Sequence, residues 1–156
     1  NTMAALQGGG VDAILLPAHL ARPLEAEGRG HILAWASDVE GWQLGALFAS
    51  TRALSSRRPV LDRFLVAYRR ATAVYAETFL APAGSEGARR ARELAADLTA
   101  YIPSPVEDIL AGAPYIPADG SVDAESVRRH VAWMQERGLV DRRLDPAALF
   151  ASAPAR

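Results

Sequence analysis

Three short apolar runs near the start of the chain constrain its fold more than anything else in the sequence. They are residues 11–16 (VDAILL), 31–36 (HILAWA) and 44–49 (LGALFA). Each is shorter than an ordinary globular helix and is bounded by turn-forming residues. Gly8-Gly9-Gly10 precede the first run and Pro17 closes it, Gly28 and Gly30 precede the second, and the polar stretch 37–41 separates the second from the third. Val11, Ala13, Ile14, Leu15 and Leu16 form a nearly continuous apolar run, which suits a strand buried on both faces. Proline cannot donate to a ladder, so the run stops at Pro17. With a short helix over 18–27, tightened at Pro23, the segment reads as a βαββ unit.

The remainder reads as helix. Residues 3–7 end a first helix, with the glycine run as its stop. Ser50 and Thr51 offer an N-cap for 52–55. The longest helix is expected over 59–79, with Pro59 in its first turn. Leu61, Phe64, Leu65, Tyr68, Ala71, Thr72, Tyr75 and Phe79 recur at helical spacing and are assigned to one face, while Arg57, Arg58, Arg63, Arg69 and Arg70 lie off it. Further helices are expected over 86–98, over 105–110 with Ser104 as cap, and from Ser121 or Asp123 to Gly138. A last turn falls at 146–150. The expected fold class is helix-rich α/β: one βαββ unit, then four or five helices. Three strands alone leave exposed edges, so the chain is also expected to self-associate.

Composition excludes several functions. The formal net charge is −1, too small to draw the chain broadly to nucleic acid or an anionic membrane. There is no cysteine, which removes disulfides, thiolate catalysis and cysteine-ligated metal. All 17 basic residues are arginine, so no lysine is present to form a Schiff base. His19, His31 and His130 stand on separate elements, without metal-ligand spacing. The glycine run precedes its strand candidate and lacks Gly-Lys-Ser/Thr, so it is no phosphate loop. No catalytic constellation emerges, and no cofactor is implied. The chain is read as a non-enzyme.

The order of local motifs resembles a known family. Ala5-Leu6-Gln7-Gly8 leads into Val11-Asp12-Ala13. Glu25-Ala26-Glu27-Gly28 and Gly41-Trp42-Gln43-Leu44-Gly45 follow, then Ala49-Ser50-Thr51 and the helix from Arg58-Pro59 through Phe64-Leu65 to Ala67-Tyr68-Arg69. This succession resembles the second half of the nitrate/sulfonate/taurine class of ABC-transporter substrate-binding proteins, the group that includes the thiamine-pyrimidine-precursor binders. Residues 5–80 carry most of the resemblance, and Tyr115-Ile116-Pro117 onward carries it more loosely. It implies a partial periplasmic-binding-protein type II fold. Residues 1–45 would end the second lobe and cross over; residues 46–156 would hold a returning strand and the C-terminal helices of the first lobe. It also implies that the N-terminal half of a longer, periplasmic protein precedes Asn1, and that the partners are a small-molecule solute and a membrane permease.

In open α/β sheets, ligands sit beyond the carboxyl ends of strands. That rule selects Pro17, Ala18 and His19, where free N–H groups at a helix start favour an anion and His19 adds an imidazole. Gly41, Trp42 and Gln43 lie just before the third run, where the resemblance implies that the chain returns between the lobes, and would offer an aromatic wall and a two-way amide. The solute class is then a small anionic or zwitterionic organic molecule such as a sulfonate, nitrate, a pyrimidine precursor or an aromatic carboxylate. Plainer readings stand beside these. The plainer reading of His19, a solvent-exposed histidine at a helix start, is the favoured one, and Trp42 is equally read as packing under the helix from Pro59. Trp35 and Trp133 are assigned to the core. The alternatives to transport are an effector-sensing or interaction domain of a regulator, and an enzyme relative in the pyrimidine-precursor branch.

Overall fold

The structure, a computed structural model, describes residues 2–38, 41 and 45–151. It is 57% helical, and none of the described residues lies in a β-strand. The expected α/β class, with its βαββ unit and partial periplasmic-binding-protein fold, is therefore corrected to an all-helical architecture. The correction falls on the three apolar runs. Residues 11–16, 31–35 and 45–50 carry no regular helix or strand, and Leu44 lies outside the described residues. A strand exists only through a ladder with a neighbour, and residues 11–16 and 46–49 make no backbone–backbone hydrogen bond among the described residues. Leu15 (78% exposed), Leu33 (86%) and Phe48 (88%) face solvent. An apolar run marks a segment that gains by burial; it does not supply the partner that buries it.

In chain order the helices are α1 (Thr2–Gln7), α2 (Ala18–Ala26), α3 (Thr51–Ser56), α4 (Arg58–Phe79), α5 (Glu86–Leu98), α6 (Val106–Ala111) and α7 (Ala124–Glu136). Short 3-10 turns occupy Ala36–Asp38 and Pro146–Leu149. The chain forms two compact units: residues 1–34 with 73–118, and residues 35–72 with 119–156.

In the first unit, α6 packs against both α2 and α5. Among the described residues its buried apolar side chains are Leu24 on α2 and Ala91 and Ala95 on α5, and Thr78 on α4 is buried as well. The Thr78 hydroxyl is satisfied by donating to the Val74 carbonyl at 2.7 Å. Ser85 caps α5, its Oγ accepting from the Ala88 amide at 3.2 Å. A Cβ on Gly87 would stand 2.3 Å from the Glu77 carbonyl oxygen, so the first turn of α5 meets the end of α4 backbone to backbone. Tyr75 donates its hydroxyl to the Pro114 carbonyl at 2.6 Å, tying α4 to the segment after α6. On the solvent face of α5, Arg89 bridges Glu86 and Glu93, and its hydrogen bond holds the Glu86 carboxyl below the usual range.

In the second unit, Ser50 caps α3 by accepting from the Ala53 amide. Asp123 caps α7 by accepting from the Ser126 amide at 2.9 Å. Val131 on α7 is its buried apolar side chain, with Thr72 and Ser126 also buried. The last 3-10 turn packs on α7. Gln135 reaches back from α7 and donates to the carbonyls of Asp141, Arg142 and Leu144, at 3.2, 3.2 and 2.9 Å. Two further expectations are corrected here. Phe64 and Ala71 are exposed, so they do not share the inward face of α4. Ser104 does not cap α6: Pro105 stands at the capping position, without a side-chain cap.

Candidate functional site

The sequence-selected residues at 17–19 form one local group at the start of α2. Pro17 sets the entry with φ −61° and ψ 152°, and it supplies no side-chain cap. Its carbonyl accepts from the amides of Leu20 and Ala21, both at 3.0 Å. The amides of Ala18 and His19 have no hydrogen-bond partner among the described residues. These are the orphan donors a helix start leaves, and the helix dipole places partial positive charge on them. Pro17 and His19 are exposed and Ala18 is half-buried, so the donors lie at the surface.

What holds this helix start in place is a close approach. A Cβ on Gly112 would stand 2.5 Å from the His19 Cβ and 2.7 Å from its Cα. The backbone of α2 at His19 thus rests on the glycine that ends α6, while the imidazole is left to solvent. The far end of α2 is fixed by Glu25, whose carboxylate accepts from the Ile32 amide at 2.8 Å. Glu27 is ion-paired with Arg29 at the surface.

Of the second sequence-selected group only Gly41 is among the described residues, and it is exposed; Trp42 and Gln43 lie outside them. Ser50 is occupied as the cap of α3. Asp12 is exposed and makes no hydrogen bond among the described residues. Trp133 is corrected from core to surface: it is 48% exposed, with the Arg137 guanidinium over its ring at 4.1 Å from the centroid. Among the described residues no group of histidine, aspartate and glutamate is placed to hold a metal ion. No helix is long and apolar enough to cross a membrane among the described residues.

Sequence reasoning missed a surface on α4, where Val60, Phe64, Ala67 and Ala71 are all exposed. The signal was present as two interleaved apolar spacings offset by one residue, which a single-face reading merges into one.

No family model, curated protein or solved structure matches the chain.

Proposed function

We propose that this chain serves in solute binding for an ABC importer, engaging a small anionic or zwitterionic organic molecule at the start of α2. The solute's sulfonate, nitrate or carboxylate oxygens accept from the Ala18 and His19 amides, and the His19 imidazole adds a third donor. The observation that carries this reading is the uncapped α2 start: two partnerless amides beside an exposed imidazole. The role is capture and release without turnover, in the periplasm, with delivery to a membrane permease.

Amide-resolved NMR titration of the chain with taurine, nitrate and benzoate tests it. The expected result is saturable shifts of Ala18 and His19, weakened by His19→Ala and absent with a cationic analogue such as choline. Equal shifts at the α2, α5 and α7 starts would reduce the effect to generic anion attraction and remove the reading.

A second reading, as an interaction domain, draws on a different observation. Among the described residues only Leu24, Ala91, Ala95 and Val131 are buried apolar side chains. A chain of this length ordinarily buries far more. The apolar residues left at the surface include Leu15 and Leu33 in one unit and Leu47 and Phe48 in the other. On this reading the chain self-associates through such runs. A strictly monomeric, cooperatively unfolding species by light scattering at high concentration would refute it.

A further inference from the structure

Helix α4 carries two apolar seams within the second unit. Leu61, Leu65, Tyr68 and Thr72 form the covered one, each buried or half-buried. Tyr68 and Thr72 pack on the turn at Gly120, where a Cβ would stand 2.8 Å from Tyr68 Cε1 and 3.2 Å from Thr72 Oγ1. One residue earlier in each case lie Val60, Phe64, Ala67 and Ala71. All four are exposed, Val60 at 51% and Phe64 at 50%. Their spacing of four, three and four is that of a helix–helix seam. At about 100° per residue they share one stripe, roughly 16 Å long. A stripe of this period fits another helix better than a flat or extended partner.

Charge selects the occupant. Between residues 57 and 72, five arginines stand against one carboxylate, Asp62. Arg58 is taken up by Asp62 at 2.9 Å. Asp119 is held below the usual carboxylate range by hydrogen bonds from Ser121, and Arg69 adds its charge there. Arg57, just ahead of α4, is exposed, and so within the helix are Arg63 and Arg70, neither of which makes a side-chain hydrogen bond or ion pair among the described residues. They stand one heptad apart and flank the stripe on the side away from the covered seam. The first turn of α4 holds no acidic residue, so the positive end of its dipole reinforces the same sign. A second copy of this helix would bring its own arginines to the seam, which like-charge repulsion opposes.

We propose that this face of α4 docks an acidic amphipathic helix of a partner protein. Its apolar seam covers Val60, Phe64, Ala67 and Ala71, and its carboxylates, one heptad apart, meet Arg63 and Arg70. Phe64 is the anchor, already held near-parallel to the Tyr68 ring at 6.4 Å between centroids. Ala67 and Ala71 allow the partner backbone to come close. None of these residues belongs to the α2 start, and the proposal does not rest on solute binding there.

The test uses the full chain and a designed helical peptide three heptads long, with leucine at the seam and glutamate on both flanks. Fluorescence anisotropy at low salt is expected to show saturable binding that weakens as salt is raised. Phe64→Glu should weaken it about tenfold or more, and the pair Arg63→Glu with Arg70→Glu by about tenfold. Val66→Gln, an uncharged change at an exposed position off the stripe, should leave it unchanged. A peptide with lysine in place of glutamate should bind far more weakly. Equal binding of both peptides, no binding of the acidic one, or indifference to Phe64→Glu would overturn the proposal. So would self-association of the chain that Phe64→Glu abolishes, because the seam would then belong to a second copy.

Discussion

Gly112 ends α6 directly against His19 of α2, so close that a Cβ at 112 would stand 2.5 Å from the His19 Cβ. The backbone of Gly112 is in the ordinary right-handed half of conformational space (φ −94°), so it is space and not backbone strain that demands glycine. Gly112→Ala is therefore expected to force α2 and α6 apart, at a cost of about 1–3 kcal/mol for overpacking. Because His19 lies at the α2 start, the same change should weaken any anion-dependent shift of the Ala18 and His19 amides. Denaturant unfolding of the variant, with the NMR titration repeated on it, checks both. Unchanged stability would mean that the two helices do not bear on each other at this point.

Tyr75 gives a pH dependence with a definite sign. Burial pushes its phenol from the ordinary value of about 10 up to about 12. A raised folded-state value means that the folded chain holds the proton where the unfolded chain has lost it. The contribution is fully present below about pH 10 and is lost as pH rises towards about 12. The direction agrees with the geometry, since a phenolate has no proton to donate to the Pro114 carbonyl. Tyr75→Phe should remove this part of the alkaline destabilisation. It should also cost about 0.5–1.5 kcal/mol near neutrality for the lost hydrogen bond. Chemical denaturation across the alkaline range, wild type against variant, is the measurement.

The helical part of the fold was legible because its signals are local. The expected spans 59–79 and 86–98 match α4 and α5 to within a residue, and Ser50 and Asp123 act as the caps their positions suggest. The runs at 11–16 and 31–36 were misread because their local pattern is complete while their pairing is not local. Nothing in VDAILL states whether a ladder partner exists, and periodicity in so short a run does not separate strand from irregular backbone. Of the candidate site, the α2 start was legible from Pro17 and the helical residues after it. The approach of Gly112 was not, since 93 positions separate it from His19 in the chain. The second seam of α4 was present in the sequence, but Phe64 and Ala71 also fit a broad inward face. Only the exposures of Val60 and Phe64 separate the two seams.

Asp123 should be worth about 1 kcal/mol to α7 as its N-cap. Its carboxylate accepts from the Ser126 amide at 2.9 Å, and Ser126 is fully buried, so the amide has no ready access to replacement water. Asp123→Ala is expected to lower the stability of the second unit by that amount, while Asp123→Asn, which keeps the accepting oxygen, should cost much less. Thermal unfolding of the two variants distinguishes a capping role from a purely charge-based one. Equal losses would point to the charge.

Gln135 is the residue on which the end of the described chain depends. Its amide nitrogen donates to three carbonyls of the segment that follows α7, those of Asp141, Arg142 and Leu144. An amide nitrogen has two hydrogens, so at least one of them is shared between acceptors. Gly138, at φ +68°, turns the chain so that these carbonyls face the helix. Gln135→Met keeps the length and packing of the side chain and removes the donors. It should destabilise the segment by about 1–2 kcal/mol, because one half-buried residue satisfies several backbone acceptors at once. The expected readout is faster amide hydrogen exchange confined to residues 139–150, with α4 and α5 protected as before. Exchange that rises evenly over the whole chain would show that Gln135 supports global stability and does not act as a local clasp.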